Sequence, residues 1–199
     1  QLFEKDGGSF DLSWIELGHA SDSEIKEMIE RKMKITDIFD VSKPNTDGKC
    51  TTGKKIYEDS HVMCLRLKPG KEKAAAFLES RKYAAYKGAT IEFRKEEGLT
   101  YDNESNALYL AMSAIDKSME DNYKGNESVN HIRLEKNRCG AVYKIALDED
   151  YSGIHMEAMV TGTPLKVGDK YADEWGCHPD NIANPDNITY LGHNILLIN

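Results

Sequence analysis

The sequence lacks several features that would narrow its function directly. No stretch approaches the ~20 apolar residues that a transmembrane helix requires, so no helical membrane span is predicted. There is no Cys-x-x-Cys pair, which argues against a zinc knuckle or a thioredoxin-type motif. The P-loop, dinucleotide and Gly-x-Ser-x-Gly fingerprints are missing too. The six histidines are scattered without metal-ligand spacing.

Positive charge is also in short supply. The formal net charge is -8, and the lysines and arginines are interspersed with acids, so no basic stripe emerges. This balance argues against a nucleic-acid partner, and the missing apolar run argues against a membrane partner. The acidic excess fits a cation binder or an extracytoplasmic protein, or it simply keeps the protein soluble.

The cysteines are few but even in number. Four cysteines allow three pairings, and their positions in loops favour Cys50–Cys64 and Cys139–Cys177. Such bridges indicate an oxidising compartment, so we expect a secreted or periplasmic protein. In an alternative interpretation, Cys177 and His178 supply soft metal ligands.

A two-strand pattern occurs twice in the chain. Residues 97–101 are followed by 107–113, and residues 186–190 are followed by 194–199. Each copy contains an acid, a small residue or amide, a β-run ending in Thr-Tyr, a polar turn and a second β-run. A repeat of this kind is typical of radial or stacked β-architectures.

The β-rich part of the sequence predicts a propeller. Strands are expected at 98–101, 107–113, 140–147, 154–161, 187–190 and 194–198. Four antiparallel strands before the pattern restarts describe a propeller blade. Two polar insertions, 114–138 and 163–185, lengthen the repeat. We therefore predict a mainly β fold, a partial β-propeller of about one and a half to two antiparallel four-stranded blades with two helical insertions.

The first half of the chain carries the helical signals. A capping box at Ser21 opens a helical segment over 21–34, and its apolar stripe is expected to be core: Ile25, Met28, Ile29 and Met33. An alanine-rich segment over 71–88 is the second, ended by Gly88 as a left-handed cap. A first strand is expected near 10–17, and 40–64 is interpreted as an exposed loop. The abrupt ends favour a fragment of a single propeller domain, residues 1–199, over an intact small domain.

The repeated acids suggest a metal site. The first strand of each propeller blade lines the central channel, so Glu97 and Asp186 are expected to face one axis. Oxygen ligands favour calcium, magnesium or ferric iron. Arg94 could grip a phosphate through its two-pronged guanidinium. Alternatively, Asp186 caps a turn, Glu97 is a solvated strand-end acid and Arg94 belongs to a plain charged turn.

Several segments resemble the PhoX-type bacterial alkaline phosphatases. In chain order they are 73–81, 88–101, 139–143 and 182–187. The resemblance implies a secreted or periplasmic six-bladed propeller that hydrolyses phosphate monoesters with a calcium and ferric-iron cluster in its channel. Its iron-binding cysteine lies in an earlier part of the protein that has no match here.

The resemblance also implies roles for particular residues. Arg94 would be catalytic, and Glu97 and Asp186 would be metal ligands. The family pattern often has one residue between the arginine and the glutamate, which makes Glu96 the fallback ligand. The site in this chain would be partial, so the isolated chain is expected to be inactive and to associate with the rest of its propeller or with other copies. The rivals are a non-catalytic calcium-binding propeller and a lactonase-like propeller hydrolase.

Overall fold

The described part of the chain is built mainly from β-strands. The computed structural model describes residues 7–58, 61–125 and 129–199. The ten strands there are Ser9–Asp11 (β1), Phe39–Ser42 (β2), Lys54–Glu58 (β3), His61–Leu67 (β4), Glu96–Asp102 (β5), Ala107–Met112 (β6), Ala141–Leu147 (β7), Gly153–Thr161 (β8), Ile188–Gly192 (β9) and Ile195–Ile198 (β10). The four α-helices there are Asp22–Glu30 (α1), Ile35–Ile38 (α2), Glu72–Leu78 (α3) and Ser80–Lys87 (α4). The predicted mainly β class with helical segments is therefore confirmed.

The chain divides into two compact units. The first comprises Gln1–Ser13, Phe93–Tyr123 and Ile132–Asn199, and the second comprises Trp14–Glu92 and Lys124–His131. The repeated strand pattern lies wholly in the first unit, and the helices α1 to α4 lie in the second.

The first unit contains the predicted antiparallel sheet. Strands β5 to β8 form a four-stranded meander, and β1 joins its β8 edge to give the order β1-β8-β7-β6-β5. The expected strand over 10–17 is wrong in extent, because only Ser9–Asp11 pairs with β8. Since β8 begins at Gly153, a continued register leaves no partner residue in β8 beyond Ser13. Strands β9 and β10 form a separate two-stranded sheet.

Both faces of the five-stranded sheet carry an apolar core over β6 and β7, whereas Leu99 and Tyr101 of β5 are exposed. Successive residues of a strand point to opposite faces. On one face, Tyr109, Ala111 and Val142 pack against Ile188 and other residues of the β9–β10 segment. On the other face, Met112, Tyr143 and Met156 belong to a second core. The sheet is thus an inner layer, as its apolar runs in β6 and β7 require.

The segment over 114–138, which was predicted to be a polar insertion, contributes apolar side chains to a core. Four of its apolar residues complete the second core and are at most 7% exposed: Ile115, Met119, Ile132 and Leu134. They are separated by charged residues, which hid their pattern. Residues 126–128 of this insertion lie outside the described part of the chain.

The second unit corrects the prediction of an exposed loop over 40–64. Strands β2, β4 and β3 form an antiparallel sheet in that order. Leu65 and Ile56 are buried in it together with Phe39. The lysines and threonines lie in turns and at outward-facing positions. The composition therefore suggested a loop, although the alternation of apolar and polar residues was enough to form strands. Residues 59 and 60 lie outside the described part.

The helical segments are shorter than predicted. The capping box of Ser21 and Glu24 is present, but α1 ends at Glu30. Met28 and Met33 pack against the core of this unit, whereas Ile29 is 59% exposed, so the expected four-residue core stripe is wrong for Ile29. The second segment breaks at Glu79 into α3 and α4 and ends, as predicted, at a left-handed Gly88.

The tip of the β5–β6 hairpin is organised by a buried carboxylate. Asp102 has no exposed surface. Burial alone would raise its pKa, but bonds from the Ser105 hydroxyl and from the N–H groups of Glu104 and Ser105 outweigh this and lower the pKa to about 2. The Tyr109 hydroxyl also donates to Asp102, at 3.2 Å.

Both expected disulfides are confirmed. Cys50 and Cys64 are bonded, with Cα atoms 5.6 Å apart, and so are Cys139 and Cys177, with Cα atoms 5.9 Å apart. Because Cys177 is consumed in this way, the alternative in which it serves with His178 as a metal ligand is wrong. Two disulfides fit an oxidising compartment. No helix in the described residues is long and apolar enough to cross a membrane.

Candidate functional site

The two copies of the repeat meet through their main chains at one end of β5 and β9. The Gly98 N–H donates to the Asp186 carbonyl at 2.8 Å. A Cβ atom at Gly98 would lie 2.6 Å from that oxygen and 2.8 Å from the Ile188 nitrogen. Only glycine permits this approach, which explains the small residue after the acid in the first copy. As a result, Glu97 and Asp186 occupy adjacent positions at the same end of neighbouring strands.

Glu97 is an exposed carboxylate held by a neighbouring strand. The Ser113 hydroxyl donates to its Oε1 at 2.9 Å, and the Ser113 N–H donates to the Lys95 carbonyl at 3.0 Å. Lys95 has a φ of 60°, and the β5–β6 register shifts between Glu96 and Leu99. Because of this irregularity, the first residues of β5 depart from the regular pairing with β6.

Glu96, the fallback ligand, lies opposite Met112 in that register and is also exposed. The Ser113 bond to Glu97 marks Glu97 as the carboxylate fixed toward the end of β6.

Asp186 follows a turn that is anchored by a side-chain amide. Asn184, at a φ of 51°, donates from Nδ2 to the carbonyls of Ser113 at 2.9 Å and Arg138 at 2.8 Å. Pro185 is fully buried, and the Asp186 N–H donates to the Asn199 carbonyl at 2.8 Å. The Asp186 side chain itself is exposed. Main-chain groups of the turn thus form the hydrogen bonds that hold it in place, and the Asp186 carboxylate remains exposed to solvent.

The Cys139–Cys177 disulfide supports the same turn. The Asn184 N–H donates to the Cys139 carbonyl at 2.8 Å. The next residue, Gly140, has a φ of 76°, and a Cβ there would lie 2.9 Å from the Pro185 ring. The disulfide and Gly140 together fix the segment that carries Asp186. These residues are far apart in the sequence, so no local pattern predicted this support.

Arg94 is engaged in an ion pair that sequence reasoning missed. Its Nε lies 3.1 Å from Asp116 Oδ1, and the two side chains are 28% and 24% exposed. Asp116 lies in the insertion, twenty-two positions away, and nothing in the local sequence links the two residues. The guanidinium of Arg94 therefore lies at ion-pair distance from a carboxylate, although these two atoms do not form a hydrogen bond.

Glu97 and Asp186 would make up only part of a metal coordination sphere. In the described ranges, no three side chains among His, Cys, Asp and Glu gather as metal ligands. All four cysteines are in disulfides, so the chain offers no thiolate for iron. The exposed carboxylates of Glu97 and Asp186 are oxygen donors of the kind that calcium prefers, but calcium takes six to eight such donors. The residues fit a share of a calcium site and do not fit a complete one.

Comparison with known proteins adds no identification. No family model, curated protein or solved structure matches the chain. The resemblance to the PhoX-type phosphatases therefore rests on the sequence segments named above, and the geometry of the repeat junction has to be interpreted by itself.

Proposed function

We propose that the chain is part of a PhoX-like phosphatase propeller and contributes Glu97 and Asp186 to a calcium site at the channel. The observation that carries the proposal is the bond from the Gly98 N–H to the Asp186 carbonyl. It joins the main-chain segments that carry the opening acids of the two repeats, which is what a propeller would need of the channel-lining strands of neighbouring blades.

The packing of the two sheets supports a propeller arrangement. Ile188 and Tyr190 of β9 pack on the face that Tyr109 and Val142 present. Leu99 and Tyr101, their counterparts in the first repeat, are 56% and 42% exposed. In a propeller, such a face is covered by the preceding blade, which buries each sheet between two neighbours.

Charge and exposure support calcium as the ion. Carboxylates that come close to each other repel and gain from a cation between them. Calcium accepts flexible oxygen coordination, and the remaining oxygens would come from other blades. Ferric iron belongs to the proposal only for a longer protein, since this chain has no free thiolate.

The catalytic contribution of the chain would come from Arg94. Bound calcium would polarise the phosphoryl oxygens of the ester. The guanidinium of Arg94 would then neutralise charge on the transferring group, which requires the phosphate to replace Asp116 as its partner. Asp116 is thus a competitor that sets how easily phosphate binds.

The same ion pair favours a second candidate function, a calcium-binding propeller without hydrolytic activity. If Asp116 holds Arg94 permanently, the junction retains its carboxylates but has no group free for phosphate. In that case calcium serves only to join neighbouring blades.

Calcium titration of the chain tests the site itself. We expect weak binding, with a dissociation constant of ~10⁻³ M or above because only two carboxylates contribute. Glu97→Gln and Asp186→Asn should each abolish it, while the exposed Asp173→Asn should not. Binding that survives both site variants would refute the proposed ligands.

Phosphate chemistry then separates the two candidates. In a longer protein that carries this chain, Asp186→Asn should remove calcium and aryl-phosphate hydrolysis together. Arg94→Ala should keep calcium but weaken phosphate binding, and Asp116→Asn should strengthen it. Calcium binding without hydrolysis would favour the second candidate, and cleavage of lactones in place of phosphate esters would favour the lactonase-like rival.

A further inference from the structure

A serine, a histidine and an aspartate form a hydrogen-bonded chain at the β1 edge of the five-stranded sheet. Ser9 Oγ lies 3.0 Å from His155 Nε2. His155 Nδ1 lies 3.0 Å from Asp11 Oδ1. The three side chains belong to strands that pair directly, although Ser9 and His155 are 146 positions apart in sequence.

Strand register explains why these residues meet. The Ala158 N–H donates to Gly8, and the Leu12 N–H donates to Ile154. The hydrogen-bonded pairs of β1 with β8 are therefore the even-numbered β1 positions. Asp11 and His155 then form a non-hydrogen-bonded pair, in which side chains lie closest. Ser9 lies two residues from Asp11 and so on the same face.

One tautomer of His155 gives the relay the polarity needed to activate a nucleophile. An Nδ1–H that donates to Asp11 fixes the His155 tautomer and leaves Nε2 as an acceptor. The Ser9 hydroxyl then donates to Nε2, which is the relation of nucleophile, base and orienting acid in acyl-transfer enzymes. The Asp11 side chain is 98% exposed and that of His155 is 38% exposed, so solvent screens the charge of Asp11 and its role is to orient the ring.

The main chain supplies a candidate donor for the developing oxyanion. Because the even positions pair with β8, the Ser9 N–H points away from the sheet. No strand flanks that side of β1 in the described part of the chain. A serine's own N–H is one of the two donors in the oxyanion hole of serine proteases. The Tyr143 hydroxyl donates to the Gly7 carbonyl at 2.6 Å and anchors the start of the strand.

We propose that Ser9, His155 and Asp11 form an acyl-transfer site for small carboxylic esters, separate from the Glu97–Asp186 junction. Ser9 Oγ bonds to the acyl carbon while its proton passes to His155 Nε2. The bond from that carbon to the leaving oxygen breaks, and His155 returns the proton to the alcohol. Water then attacks the acyl-serine by the same route, releasing the carboxylic acid and restoring Ser9.

The expected substrate class follows from the position of the site. Among the described residues, no further strand pairs with β1 on its outer side, so in that part of the chain no strand excludes water or selects a large acyl group. Small esters with good leaving groups, such as aryl acetates, are the substrates that such a site can turn over. The proposal does not depend on metal or phosphate binding.

The test is acetylation of the full chain by p-nitrophenyl acetate. We expect a burst of nitrophenol of about one equivalent per chain, as covalent catalysis produces, with the acetyl group on Ser9 by peptide mass mapping. Ser9→Ala should abolish the burst, and His155→Gln should slow acylation by about 100-fold or more. Asp11→Asn should have a smaller effect because the carboxylate is exposed.

Two control variants make the test specific. Ser13→Ala removes an exposed hydroxyl two residues beyond Asp11. Glu157→Gln removes the carboxylate directly opposite Ser9 in the register. Both should keep the burst. A burst that survives Ser9→Ala, acetylation confined to lysines, or no burst in the unmodified chain would each overturn the proposal.

Discussion

The ring of Tyr109 stacks on the ring of Tyr190, with centroids 6.1 Å apart and planes inclined by 26°. Tyr109 belongs to β6 of the first repeat and Tyr190 to β9 of the second. Both rings belong to the apolar layer between the two sheets. The repeat is therefore joined by its side chains as well as by the Gly98 main-chain bond.

Removing one ring should loosen this layer. We expect Tyr190→Ala to lower the free energy of unfolding by roughly 1–3 kcal/mol, through lost burial and lost ring stacking. Tyr151→Ala is the matched control, because Tyr151 is 69% exposed and its loss should cost under ~0.5 kcal/mol. Urea unfolding measures both, and equal losses would contradict the assignment of this layer.

The Asp102 carboxylate predicts an acid-dependent loss of stability. Its pKa of about 2 in the fold is below the value of about 3.9 expected in the unfolded chain. Its contribution is therefore complete above about pH 4 and is lost as the pH falls toward 2. Asp102→Asn should lower stability at neutral pH and flatten this part of the profile. Unfolding midpoints across the range measure it, and Asp173→Asn should leave the slope unchanged.

The two disulfides should differ in what their removal does. They span 14 and 38 residues, which corresponds to about 3 and about 4 kcal/mol in the loop-entropy model. Replacing Cys139 and Cys177 by alanine should also weaken calcium binding, because that bridge supports the Asn184 turn. Replacing Cys50 and Cys64 should cost stability only. Calcium titration of both double variants distinguishes them, and an equal loss of affinity would contradict the link to the turn.

The β9–β10 sheet has an exposed apolar face, which predicts that the purified chain self-associates. Its members are each more than half exposed: Leu191, Ile195 and Leu197. Leu197 pairs with Thr189 as Tyr109 pairs with Thr100, so it occupies the position that is buried between sheets in the first repeat. We expect concentration-dependent oligomers in sedimentation velocity and their dissociation by Leu197→Glu. A monomer at every concentration would contradict this expectation, and Val167→Glu, at an isolated exposed position, serves as the control.

Sequence periodicity was sufficient for the repeated strands. The runs at 98–101, 107–113 and 187–190 are short, rich in β-forming residues and followed by polar turns, so β5, β6 and β9 were predicted to within a few residues. Strands β2, β3 and β4 were missed because β2 is only four residues long, β3 opens with two lysines, and the burial of all three depends on the core that covers them. The bend at Glu79 was missed because alanine-rich segments carry no local signal for a break.

The candidate sites differ in how far they could be predicted. The adjacency of Glu97 and Asp186 follows from a repeat, which places like residues in like positions. The Arg94–Asp116 pair arises from the path of an insertion, and the contact of Ser9 with His155 arises from the register of β1 on β8. Neither leaves a pattern in a single sequence, because both join segments far apart along the chain.

The Gly98–Asp186 bond uses only main-chain atoms. The scaffold at the repeat junction is therefore indifferent to which side chains project from positions 97 and 186. Imidazoles or amides at these positions could retune the junction for a different ion without rebuilding the strands beneath. The same separation of support from chemistry would allow duplicated repeats to diverge in their ligands while keeping a common architecture.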